Sequence, residues 1–122
     1  MNISDAESTV MEVLWQRSPL GADEVVAALA GAQDWQEATI KTLLNRLLKN
    51  GAIAAEAEGR RYRYSPVLTR DAWLTQTSRG LLDRLFGGRV APLVAHFGEQ
   101  KALTRKDIDE LRALLEKLDG QR

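Results

Sequence analysis

At 122 residues, 44% hydrophobic and 28% charged, the chain has room for one ordinary domain or two very small ones, with enough apolar material for a core. Seventeen basic residues balance seventeen acidic ones, so global charge predicts no partner. The absence of cysteine excludes a disulfide framework, a thiolate nucleophile and a cysteine metal site. No run approaches the ~18 apolar residues of a membrane span, and the acidic start M-N-I-S-D-A-E lacks the basic and apolar regions of a secretory signal, so a cytoplasmic protein is expected.

The first helix opens at Ser4, where S-D-A-E sets a serine N-cap three residues before Glu7; Ala6, Val10, Val13 and Leu14 recur at helical spacing until Ser18 and Pro19 end it. A shorter helix follows from Gly21 to Leu29, with Ala22, Val25, Val26 and Leu29 on one face, Glu24 in its first turn and Gly31 as its stop. In the third helix Ile40, Leu43, Leu44 and Leu47 lie at i, i+3, i+4 and i+7 and form its core face, and Asn50-Gly51 tolerates the left-handed conformation at its end. Thr39, Lys41, Thr42, Asn45, Arg46 and Lys49 make up its polar face. Beyond it, A-I-A-A-E-A reads as a short strand, Glu58-Gly59 as a turn, and R-Y-R-Y-S as a second strand of alternating basic and aromatic residues closed off by Pro66.

Thr69 begins a different region. A helix from Asp71 to Phe86 carries Ala72, Trp73, Leu74, Leu81, Leu82, Leu85 and Phe86 and breaks at Gly87-Gly88; Val90 to Phe97 reads as a short apolar helix. The last helix starts at Thr104, with Asp107 three residues on, and shows Ile108, Leu111, Leu115 and Leu118 at heptad-like spacing. The expected division is therefore 1–68 and 69–122, and the fold class is mainly α with a small β-hairpin wing.

Local charge separates what global charge does not. Between Trp35 and Tyr64 stand six basic residues (Lys41, Arg46, Lys49, Arg60, Arg61, Arg63) against three acidic ones, a net of +3, whereas residues 1–34 hold one basic and six acidic residues, a net of −5. A basic segment that follows an acidic one is the local footprint a phosphate backbone selects. Two platform helices, a recognition helix and a two-stranded wing are the order of a winged helix-turn-helix, whose third helix enters the major groove of double-stranded DNA. Lys41 and Arg46 suit phosphates or guanine O6/N7, Asn45 an adenine edge, and Thr39 and Thr42 a phosphate or a thymine methyl. Arg60, Arg61 and Arg63 suit a phosphate flank or the minor groove.

The C-terminal piece numbers fifty-four residues, a length at which a chain buries only roughly 60% of its unfolded surface. Homodimerisation through Trp73, Leu81, Leu85, Phe86, Leu93, Phe97, Ile108, Leu111, Leu115 and Leu118 would supply the missing burial, and it suits two half-sites related by a two-fold axis. His96, the single histidine, is read as a packed or half-exposed helix residue, and Trp15, Trp35 and Trp73 as core or interface anchors. There is no nucleophile elbow, phosphate loop or paired-carboxylate constellation. No catalytic residue, cofactor, metal or small-molecule substrate is expected. The alternative is a winged-helix module that docks an acidic protein partner without reading DNA sequence.

The pieces Leu14-Trp15, Ser18-Pro19-Leu20, Trp35 through Gly51, Glu58 through Tyr64, Leu82 through Gly88 and Leu93 through Phe97 together resemble the penicillinase-repressor family of BlaI/MecI/CopY-type regulators, over nearly the whole chain. The resemblance implies a homodimeric repressor with a winged helix on each half of a pseudo-palindromic operator, often with TACA/TGTA cores, and a helical dimerisation domain. It puts the recognition positions at Thr39, Lys41, Thr42, Asn45 and Arg46. In the beta-lactamase branch a membrane-bound sensor metalloprotease triggers cleavage at an Asn-Phe junction; the matching pair here is His96-Phe97. The copper branch's cysteine motif is absent. Gln36 stands where the family usually has a capping residue, which weakens the recognition-helix N-cap.

Overall fold

The computed structural model describes residues 2–121. In chain order it comprises α1 (Asp5–Gln16), β1 (Leu20–Gly21), α2 (Ala22–Leu29), α3 (Glu37–Lys49), β2 (Ile53–Glu58), β3 (Arg61–Pro66), α4 (Arg70–Leu85), α5 (Val90–Glu99) and α6 (Arg105–Asp119). These fall into two compact units, residues 1–75 and 76–122, divided within α4.

In the first unit, the expected capping box holds α1: Glu7 N–H donates to Ser4 Oγ at 3.1 Å, and Ser4 N–H donates to Glu7 Oε1 at 3.1 Å. Val10, Met11 and Leu14 of α1, Val25 and Leu29 of α2, and Ile40, Leu43, Leu44 and Leu47 of α3 converge in one core. Ala52 and Ile53 close it from the start of β2, and Leu68 from beyond β3. The stripe at i, i+3, i+4 and i+7 is thus core, as its period implies. Gly51 takes φ +78° as the chain leaves α3, a conformation that costs glycine nothing sterically. The indole of Trp15 donates to Leu68 O at 2.8 Å and its ring lies 5.3 Å from that of Trp73, tying the start of α4 onto this core.

The sheet has three strands rather than the two of a simple hairpin. β3 is central, antiparallel to β2 from Ile53↔Pro66 to Glu58↔Arg61, and antiparallel to β1 through Leu20↔Tyr64 and Gly21↔Arg63. Leu20-Gly21 precedes α2 as a strand because Leu20 is drawn into the core beside Tyr64. Two residues are too few to show a period-two pattern. Pro66 pairs as the last residue of β3 instead of lying beyond it.

In the second unit, α4 ends at Leu85 and the chain reverses through Gly87 (φ +58°) and Gly88 (φ +78°), with Gly88 N–H donating to Leu82 O at 2.8 Å. That is the glycine-dependent stop the sequence marks. Pro92 lies in the first turn of α5, where its missing N–H leaves no intrahelical bond unmade. Thr104 and Asp107 cap α6 reciprocally at 3.0 and 3.1 Å.

Candidate nucleic-acid interface

Successive residues of an α-helix are about 100° apart, so the buried stripe fixes what α3 presents to solvent. Ala38, Thr42, Asn45 and Lys49 run down the line directly opposite Ile40, Leu43, Leu44 and Leu47, and all four are exposed. Thr39 and Arg46 lie along one flank, Glu37 and Lys41 along the other, also exposed. Every residue expected on the polar face of this helix is therefore exposed on it. Ala38 was not among them, because an alanine carries no polar group to attract notice; the same helical projection would have placed it at the centre.

Two side chains of this face are held. Lys41 Nζ lies 3.2 Å from Glu37 Oε1, one turn earlier. Thr42 Oγ1 donates to Ala38 O at 2.9 Å. Gln36 occupies the N-cap in an extended conformation (φ −77°, ψ 158°) and makes no side-chain capping bond, which is the consequence expected of a long amide at that position.

The three wing arginines, expected to act alike, occupy different situations. Arg60 stands at the β2–β3 turn beside Gly59 (φ +65°), exposed and without an ion pair among the described residues. Arg61 reaches Asp23 of α2 at 3.7 Å. Arg63 is the most committed: its guanidinium donates to Pro19 O at 3.0 Å and lies 3.3 Å from Glu58 and 3.7 Å from Glu24. Arg63 faces Gly21 across the β1–β3 pair, where no side chain intervenes. Glu24 in turn accepts from Gly21 N–H at 3.1 Å and pairs with Arg17 at 3.5 Å. The wing is thereby stitched to the start of α2, and Arg63 is not a free cation. The partners of Arg63 on α2 and before β1 lie some forty positions away in the chain, beyond the reach of a local charge pattern.

In the second unit, Leu81, Leu85, Phe97, Leu115 and Leu118 are exposed, Leu85 at 60% and Leu115 at 62%; Phe86, Leu93, Ile108 and Leu111 are half-buried. Trp73, expected with them, belongs to the first unit and is packed against Trp15 and the core there. His96 and Phe97 lie inside α5, with ring centroids 5.8 Å apart, and His96 lies 6.3 Å from Phe86. Their carbonyls are engaged: Gln100 N–H donates to His96 O at 3.1 Å and Ala102 N–H to Phe97 O at 2.9 Å. Among the described residues, no three His, Asp or Glu side chains converge as a metal site and no helix is long and apolar enough to cross a membrane.

The family model described as penicillinase repressor matches residues 3–117. The chain is 36% identical over 114 residues to the penicillinase repressor of Bacillus licheniformis, covering 93% of this chain and 89% of that one. It is 30% identical over 115 residues to the methicillin resistance regulatory protein MecI of Staphylococcus aureus, covering 94% of each. The solution structure of monomeric Bacillus licheniformis BlaI in complex with the blaP half-operator superposes with a TM-score of 0.53 at 39% identity, over 59% of this chain and 88% of that one.

Proposed function

Since the chain belongs to the penicillinase repressor family, we propose that it is a transcriptional repressor that binds double-stranded DNA as a homodimer, one winged helix on each half of a pseudo-palindromic operator. The observation that carries this reading is the exposed face of α3. Thr39, Lys41, Thr42, Asn45, Arg46 and Lys49 stand together opposite a fully used core stripe, with the wing cation Arg60 on the neighbouring element. Lys41, Thr42, Asn45 and Arg46 read base edges, and Lys49 and Arg60 position the protein on phosphates. The likeness to BlaI bound at a half-operator supports the same placement of α3 in the major groove.

The C-terminal helices, residues 69–122 in the sequence division, supply the two-fold partner. Leu81, Leu85, Phe97, Leu115 and Leu118 leave apolar surface that a second copy covers, together with the half-buried Phe86, Leu93, Ile108 and Leu111. Release of the operator follows loss of that pairing. A membrane-bound sensor metalloprotease that cuts between His96 and Phe97 would detach α6, with Leu111, Leu115 and Leu118, from the DNA-binding unit.

A gel-shift titration against the DNA upstream of the protein's own gene tests the reading. The intact chain gives a sequence-specific complex, and Lys41→Ala or Arg46→Ala weakens it while circular dichroism and sedimentation stay unchanged. Full affinity in both variants would refute it.

A further inference from the structure

Charge is not the whole content of the exposed face of α3. At its centre sit two small groups, the Cβ of Ala38 and the side chain of Thr42, one helical turn apart and both exposed. A threonine could offer a partner either its hydroxyl or its methyl. Here the hydroxyl is already given to Ala38 O at 2.9 Å, the back-bond a helical threonine makes to the carbonyl four residues earlier. With its one proton so engaged the hydroxyl no longer donates to a partner, and the Cγ2 methyl is what Thr42 adds to the Ala38 methyl, at the ~5–6 Å Cβ spacing of an i, i+4 pair. Lys41, Asn45 and Arg46 stand around this apolar spot.

Of the four bases, thymine alone carries an apolar substituent, its C5 methyl, on the major-groove edge. We propose that Ala38 and Thr42 form a methyl-reading pair that selects a thymine C5 methyl in each half-site, with Thr42 acting through its methyl rather than its hydroxyl. This inference rests on the reading that α3 enters the major groove. It assigns Ala38 a specificity role that its chemistry alone would not advertise, and it narrows Thr42 from a polar contact to an apolar one. Lys41 and Arg46 discriminate by hydrogen bonding; the Ala38–Thr42 pair discriminates by burying a methyl group.

The test uses the full-length protein and duplexes recovered by it from a randomised pool. Failure to recover any sequence-selective duplex would overturn both the DNA-reading proposal and this one. With a recovered half-site in hand, each thymine is replaced singly by deoxyuridine, which removes only the methyl and leaves the pairing and the O4 acceptor. One position should weaken binding about fourfold per half-site, the value of one buried methyl, and the other thymines little. Thr42→Ser should shrink that deoxyuridine penalty, whereas Thr42→Val should keep it, with melting curves verifying that both variants fold. Tight, sequence-selective binding with no deoxyuridine-sensitive position would overturn the methyl pair alone. So would a penalty that survives intact in Thr42→Ser and vanishes in Thr42→Val, since the hydroxyl would then be the reading group.

Discussion

Arg63 is occupied before any nucleic acid arrives. Its guanidinium is shared among Glu24, Glu58 and the carbonyl of Pro19, whereas Arg60, three residues earlier, meets no acidic partner among the described residues. The two should behave differently in salt titrations of operator binding. Each phosphate neutralised contributes a slope of about −0.9 in log K against log salt, so Arg60→Ala should flatten the slope by about that amount per subunit. Arg63→Ala should flatten it by less than half as much, while leaving Glu24 and Glu58 without their shared cation. Equal flattening would mean that Arg63 leaves its carboxylates for phosphate on binding. The difference between these arginines was not legible in R-R-Y-R-Y, because pairing across β1 and α2 depends on the register Gly21↔Arg63. The leucines of α3 were fully legible, because one amphipathic period sets which of them is inside. Leu47→Ala, at a position with no exposed surface, should cost about 2–5 kcal/mol in urea denaturation.

Elements announced themselves where local chemistry sets their ends. Ser4 with Glu7 and Thr104 with Asp107 mark the starts of α1 and α6 and form reciprocal hydrogen bonds there, and Gly87-Gly88 supplies the positive φ that stops α4. β1 gave no such signal. It exists because Leu20 is buried beside Tyr64 and the edge of β3 accepts a two-residue partner, both tertiary effects. At the start of α3, Gln36 leaves a first turn without a side-chain cap. Gln36→Ser fits the same extended backbone and should raise stability by about 1 kcal/mol, read as a higher denaturation midpoint. An unchanged midpoint would show that the amide already satisfies the turn through solvent.

At the scale of the whole molecule, the sequence marked a change of character at Thr69. The compact units divide inside α4, after Trp73 has joined the first core. Trp73 could not be assigned from its own helix, since an aromatic on an amphipathic face fits either neighbour; the Trp15 ring 5.3 Å away decides it. The second unit keeps large apolar side chains in water, among them Leu115 at 62% and Leu118 at 49% exposure. Leu115→Asp with Leu118→Asp should yield a monomer of 13.6 kDa in sedimentation, with weakened binding to a full operator and unaltered affinity for a single half-site. A dimer surviving both charges would place the interface elsewhere.

The peptide bond between His96 and Phe97 lies in the last turn of α5, with the carbonyls of His96 and Phe97 held by the N–H groups of Gln100 and Ala102. An endopeptidase needs an extended strand, so under the proposed release by cleavage it would act only on molecules in which the last turn of α5 has momentarily unwound, and local opening of this kind has its own free energy. The delay between a signal and derepression would then be written into the helix itself. Substitutions that tighten α5 would lengthen the lag, and those that loosen it would make the circuit leaky, without altering a single atom that touches DNA.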